Sequence, residues 1–139
     1  MRKRTQSREF ALQILYQIDL NPSEIEGILE DFWKAQKSAA DPEVRLYAER
    51  LVRGTAEGLK EIDRTIERYA ENWKIDRMAY VDRNILRLST YELCQLDEIP
   101  AKVALNEAVE LAKRFGEPDS SKFVNGILDK ISKNECKKK

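Results

Sequence analysis

The sequence contains no histidine, which removes the commonest general base and the commonest transition-metal ligand. A phosphate-binding loop is also lacking, because the glycine-containing segment 53–58 lies inside a helical pattern and has no lysine where such a loop needs one. Carboxylate pairs are frequent, but they alternate with lysine and arginine as solvated helix faces do. We therefore expect no enzyme, no metal site and no cofactor.

Cysteines and long apolar runs are scarce as well. Cys94 lies in an apolar helical stretch and Cys136 lies in a charged tail. Two cysteines do not make a disulfide framework, so we expect both thiols to be reduced. No apolar run is long enough to span a membrane, and the first residues lack the apolar core of a signal peptide. These absences predict a soluble, cytoplasmic protein without membrane association.

Charge is abundant but balanced, with 25 basic and 25 acidic residues among 139. The net charge therefore argues neither for nor against a nucleic-acid partner, whereas the distribution is informative. Arg2, Lys3 and Arg4 precede the first helical pattern, Arg8 follows within it, and residues 137–139 are all lysine. The guanidinium group of one arginine can bind two phosphate oxygens at once, so the amino-terminal cations are candidate RNA-binding residues. A solubilising terminus is the alternative explanation.

Apolar residues recur every three or four positions along most of the chain, and this predicts an all-α fold of about seven helices. Asp41 and Pro42 have the residue types of a helix cap and first position. The apolar phase that follows continues to Tyr69 through Gly54 and Gly58. The pattern therefore predicts one long third helix, with a kink near Gly58 as the alternative.

Cap signals at residues 72–76 predict a joint between two helical subdomains, residues 1–71 and 72–139, packed as one compact domain. Asp82 is predicted to cap the next helix, which is apolar over much of its circumference and should be buried. The first helix is apolar on two sides, because Leu12, Tyr16 and Leu20 form a ridge away from its core face. Such a helix is either sandwiched between neighbours or keeps one side for a partner.

Residues 100–130 have the pattern of two helices joined by a tight turn. Pro100 suits the start of the first helix, and Gly116 suits a left-handed residue that ends it. Asp119 and Ser120 are each able to cap the second helix.

Phe123 falls at the edge of the second helix's apolar stripe, beside Lys122. An aromatic ring near a cation and near helix amides is suited to stack an unpaired RNA base. The same position also suits a ring that covers the rim of the core. The pattern alone leaves both interpretations open.

Several blocks of the sequence resemble the NusB family of bacterial transcription antitermination factors. They occur in the family's order over nearly the whole chain, at residues 11–16 (ALQILY), 81–88 (VDRNILRL), 91–93 (YEL), 103–113 (VALNEAVELAK), 115–116 (FG) and 122–130 (KFVNGILDK). The resemblance implies a NusB-like fold of two packed helical subdomains and an adaptor without catalytic activity.

The family binds the single-stranded boxA element of ribosomal RNA leaders together with the ribosomal protein NusE, and it helps RNA polymerase to read through terminators. The resemblance implies that Tyr16 and Asp82 contact NusE. The ridge that Tyr16 forms with Leu12 on the first helix would then be a partner-binding surface. Thr5 and Gln6 interrupt the basic start that relatives share. The RNA-binding residues that the resemblance implies are Arg2, Lys3, Arg4, Arg8, Asp119, Ser120, Lys122 and Phe123.

Asn106, Glu107, Asn125 and Gly126 are also signature positions, for which a structural role is one interpretation. We expect Asn125 to bond to a neighbouring helix and Gly126 to allow close helix approach. Two other functions remain open. One is the NusB-like domain of an rRNA cytosine methyltransferase, although we expect no catalytic domain because the sequence ends at Lys139 without a cofactor loop. The other is a helical adaptor that binds no RNA. A monomer and a homodimer are both compatible with the sequence.

Overall fold

The computed structural model describes residues 2–36 and 41–136. Within those residues the chain forms seven α-helices, two short 3₁₀ turns and no strand, which confirms the all-α prediction. The predicted lysine tail, residues 137–139, and most of the break before the third helix lie outside the described part. The helices are α1 (Lys3–Leu20), α2 (Ile25–Ala35), α3 (Pro42–Glu57), α4 (Leu59–Tyr69), α5 (Tyr80–Gln95), α6 (Ala101–Phe115) and α7 (Ser120–Asn134), and the 3₁₀ turns are Pro22–Glu24 and Ile75–Arg77.

The prediction of a single long third helix was wrong. The backbone of Gly58 leaves the helical region, with φ −101° and ψ 18°, and this separates α3 from α4. The helical hydrogen bonds resume at once, since the Ile62 amide donates to the Gly58 carbonyl at 2.9 Å. The low helix propensity of glycine favours a break here rather than at Glu57 before it.

Helix α5 is the centre of the fold, as its apolar circumference predicted. It packs against α1, α3, α4, α6 and α7. Ile85, Leu86, Leu88 and Leu93 are fully buried, and burial of each such side chain contributes about 1.5–3 kcal/mol. In the part of the chain that the structure describes, no helix combines the length and apolar character needed to cross a membrane.

A tight turn at Asn72 precedes the second half of the chain. Asn72 has a left-handed φ of 64°, a conformation that asparagine tolerates better than most residues, and the Trp73 amide donates to the Ala70 carbonyl at 2.7 Å. Buried residues from both halves belong to one hydrophobic cluster. The division at residues 71 and 72 stays a prediction.

A buried ion network ties α1 and α4 to α5. Arg87 contacts the Asp63 carboxylate through Nε at 2.8 Å and Nη2 at 3.0 Å, and its Nη1 lies 3.2 Å from Asp19 Oδ2. Burial raises the pKa of Asp19, but hydrogen bonds from Arg83 and Asn84 outweigh it, so the net shift is downward. The charged form of Asp19 is therefore the one that stabilises the fold.

The two cysteines form a disulfide, so the prediction of reduced thiols was wrong. The Cys94 and Cys136 sulfurs are bonded, and their Cα atoms lie 4.8 Å apart. The end of α7 is held beside α4 by Glu135, which pairs with Arg68 and accepts a hydrogen bond from the Tyr69 hydroxyl at 2.7 Å. This docking brings Cys136 to α5, which sequence spacing does not reveal.

Candidate nucleic-acid interface

Three exposed cations stand at the start of α1. Arg2 occupies the cap position, so the helix begins at Lys3, inside the basic start. The Lys3 ammonium lies 3.2 Å from both Asp41 and Glu43, and hydrogen bonds to these carboxylates raise its pKa. The Arg4 guanidinium lies 4.5 Å from the centre of the Tyr47 ring, a distance at which cation–π attraction operates. Arg2 and Arg4 are therefore the cations best placed to meet a phosphate.

Arg8 is not part of this exposed group, contrary to the sequence prediction. Its side chain is 4% exposed, and its Nε donates to Glu92 Oε1 at 2.9 Å. Its Nη1 donates to Glu107 Oε1 at 2.8 Å, while the Tyr47 hydroxyl donates to the Glu92 carboxylate. Burial lowers the pKa of Arg8, but the bonds to Glu92 outweigh this and raise it. Arg8 joins four helices, and its guanidinium is held by carboxylates of α5 and α6.

Two connected grooves run from the cationic start of α1 along α6. The first has a volume of 510 Å³, and its lining includes Arg2, Arg4, Val103 and Asn106. The second has a volume of 360 Å³, shares Glu107 with the first and extends to Arg114. Arg114 Nη1 donates to Glu9 Oε2 at 2.7 Å and so bridges α6 to α1. The grooves form a continuous path between the two helices.

The turn between α6 and α7 is built on close packing rather than on a left-handed glycine. Gly116 has φ −97° and ψ −172°, and a Cβ there would lie 2.6 Å from the Ser120 side chain. Ser120 is 3% exposed, and its hydroxyl accepts a hydrogen bond from the Glu117 amide at 2.9 Å. Ser120 therefore closes the turn and does not face a ligand. Asp119 is exposed and makes no capping hydrogen bond.

Phe123 lies at the rim of the core, partly buried, with the exposed Lys122 beside it. Its ring is 5.9 Å from that of Trp73 at an interplanar angle of 77°, and Trp73 is 50% exposed. The two rings edge a cavity of 290 Å³ that Asp82 and Asp119 also line. Trp73 is not among the site residues predicted from the sequence, although an aromatic residue in an otherwise polar joint indicates a functional surface.

The partner ridge predicted on α1 is only partly exposed. Leu12 is 5% exposed because α1 is sandwiched between α3 and α5, so its assignment to a partner surface was wrong. Tyr16 is 42% exposed, and its ring lies 5.5 Å from that of Tyr80 in an edge-to-face contact. We call Tyr16, Leu20 and Tyr80, all exposed, the aromatic patch. The pattern of α1 alone gave no sign of Tyr80.

Asp82 does not cap α5, which begins at Tyr80 after Ala79. Its Oδ1 is buried without a hydrogen-bond partner among residues 2–36 and 41–136. Gly126 is exposed, and nothing within 4 Å would meet a Cβ there, so the expected close helix approach was wrong. Asn125 is exposed too.

The sequence profile of the NusB family matches residues 5–133. The chain belongs to the NusB family. A transcription antitermination protein NusB from Anaeromyxobacter sp. (strain Fw109-5) is 52% identical over 130 residues, which cover 94% of this chain and 90% of the relative. The protein of the same name from Bacillus licheniformis is 48% identical over 129 residues, 93% of this chain and 95% of the relative.

Solved structures of NusB share the fold. The T. maritima NusB structure is 42% identical, with a TM-score of 0.85 over 94% of this chain and 91% of that one. A chain in the crystal structure of the antitermination factors NusB and NusE in complex with dsRNA is 32% identical, with a TM-score of 0.86 over 96% and 98%. The family resemblance predicted from the sequence is confirmed.

Proposed function

We propose that this chain is a transcription antitermination factor of the cytoplasm that binds boxA-type single-stranded RNA of ribosomal RNA leaders together with NusE. The observation that carries the proposal is the exposed start of α1, where Arg2 and Arg4 open into the grooves along α6. The relatives named antitermination protein NusB and the solved complex of NusB, NusE and RNA support it. In this role the chain is an adaptor of the polymerase complex and not an enzyme.

The RNA surface in this proposal has a cationic end and an aromatic end. Arg2, Lys3 and Arg4 bind phosphates at the first end, and such contacts dominate affinity for nucleic acids. Phe123, with Lys122 and Asp119 beside it, contacts an unstacked base at the second end. Arg8 and Ser120 contribute through the fold, since both side chains are buried.

NusE docks, in this proposal, on the aromatic patch. The half-exposed rings of Tyr16 and Tyr80 suit a protein interface, where large aromatic side chains supply most of the binding energy. The Arg83 guanidinium, 4.3 Å from the centre of the Tyr80 ring, fixes that ring in place. Asp82, two residues after Tyr80 on α5 and partly exposed, is the further NusE contact of this proposal.

A salt titration tests the RNA surface. Arg2→Ala/Arg4→Ala should weaken binding of a boxA-type strand, measured by fluorescence anisotropy, and reduce the salt slope by about one unit per lost phosphate contact. The matched control is Lys60→Ala/Arg64→Ala, which removes the same charge from the exposed face of α4. Equal slopes for both variants would leave the amino-terminal cations as solubilising groups.

The same assay separates the alternative functions. Single-stranded RNA should compete with the labelled strand better than a duplex of the same sequence, and NusE should increase the affinity because each partner presents part of the surface. Binding of NusE without any RNA affinity would favour the helical adaptor instead. Preference for the duplex would contradict the single-strand proposal.

A further inference from the structure

The first groove has a floor that its cations do not explain. Val103, in the first turn of α6, is 42% exposed, and Pro100 before it is exposed as well. Both line the 510 Å³ groove, whose volume is within the range of sites that hold small ligands. An apolar floor beside arginine side chains is suited to the face of a base whose phosphate the arginines hold.

Asn106 lies three residues after Val103 and therefore on the same face of α6. It is exposed, lines the groove, and its amide has no hydrogen-bond partner in the described part of the chain. Asparagine has a low propensity for helix interiors, because its side chain competes for backbone hydrogen bonds. The next residue, Glu107, by contrast, pairs with Arg8 and accepts from the Thr5 hydroxyl. The fold requires Glu107 and leaves Asn106 free for a ligand.

Charges across the groove orient a bound nucleotide. Glu98 also lines the groove, and its carboxylate accepts a hydrogen bond from Arg50 Nη1 at 2.5 Å. That hydrogen bond lowers the pKa of Glu98, so the carboxylate is ionised at neutral pH and repels a phosphate. Arg2 and Arg4 attract a phosphate to the α1 side of the groove, which leaves the base on the side of α6, where Val103 and Asn106 lie.

We propose that this groove holds one unpaired RNA nucleotide, with its base on Val103 and Pro100 and its hydrogen-bonding edge read by the Asn106 amide. The inference rests on the proposed RNA-binding function and adds a second base subsite, at the opposite end of the surface from Phe123. A side-chain amide both donates and accepts, so it pairs with a base edge that has a donor beside an acceptor. Asn106 is thus a specificity residue.

The test uses a series of boxA-type single strands, each with one abasic position, and compares wild type with Asn106→Ala. We expect Asn106→Ala to weaken binding of the intact strand by about tenfold, the size of one good base-edge contact. One abasic position should weaken wild type by a similar factor and leave Asn106→Ala nearly unchanged. The matched control, Gln95→Ala, removes an exposed amide at the end of α5 outside the groove and should bind as wild type does.

The outcomes separate this subsite from the function on which it rests. Equal binding by Asn106→Ala and Gln95→Ala, or a loss without positional coupling, overturns the subsite. If Asn106→Ala impairs NusE binding while RNA binding is unchanged, the groove belongs to a protein and the subsite is again overturned. If wild type binds no RNA, both proposals fail. If Arg2→Ala/Arg4→Ala loses affinity and Asn106→Ala does not, the function stands and the subsite falls.

Discussion

Replacing Arg8 by methionine decides whether that arginine serves the fold or the RNA. Methionine preserves most of the side-chain volume but removes the charge, which leaves the buried Glu92 carboxylate without the guanidinium 2.9 Å away. Removing one partner of a buried ion pair costs about 3–5 kcal/mol, because the remaining charge stays desolvated and has lost its counter-charge. For a chain of this size, that corresponds to a fall in Tm of about 10–20 °C.

Urea denaturation followed by circular dichroism measures this loss, with Arg4→Met as the exposed control. Adding Glu92→Met to Arg8→Met should recover part of the loss, since the more deeply buried of the two carboxylates that pair with Arg8 is then removed as well.

The opposite pattern would refute the structural role of Arg8. If Arg8→Met keeps the wild-type urea midpoint and instead reduces the salt slope of RNA binding by about one unit, the Arg8 guanidinium of the wild type contacts phosphate. We expect the reverse, with the folded fraction of Arg8→Met retaining the wild-type slope.

Three further changes test other parts of the molecule. Reducing the Cys94–Cys136 disulfide, which closes a loop with a sequence separation of 42, should lower the free energy of unfolding by up to about 4 kcal/mol in urea titrations with and without dithiothreitol; an unchanged midpoint would contradict this. Phe123→Ala should weaken single-stranded RNA binding by about 1–3 kcal/mol in anisotropy titrations. Unchanged affinity would mean that the Phe123 ring only covers the core and does not contact RNA. Tyr16→Ala should weaken NusE binding in calorimetry while Tm stays near wild type, and a parallel loss of Tm would make Tyr16 structural.

The helices and several of their ends follow from local chemistry. Asp41 caps α3 as its residue type predicts, since its Oδ1 accepts from the Glu43 amide at 2.9 Å. The apolar stripe of α5 predicted a central, buried helix correctly. Gly58 and Gly116 were harder, because glycine signals departure from a helix without specifying the geometry. The break at Gly58 and the packing of Gly116 on Ser120 depend on neighbours that local sequence does not identify.

The candidate site was predicted only in outline. The exposed cations at residues 2–4 and the position of Phe123 at the core rim match what charge and periodicity indicate. Trp73 and Tyr80 came to attention only through the structure, because each acquires its meaning from a residue on another helix. The assignment of Leu12 failed for the same reason, since periodicity defines a face and does not say what packs on it.

By itself, the sequence determined that this chain is all-helical, which side of each helix is apolar, and that it belongs to the NusB family. Those properties depend on spacings of three and four residues and on motifs that are contiguous in the chain. Only the tertiary structure decided which charges are free. Arg8 and Arg4 are equivalent in sequence, yet one meets Glu92, 84 residues away, and the other faces solvent. Ion pairing depends on distances of a few ångströms between distant segments, and those distances are fixed by helix packing.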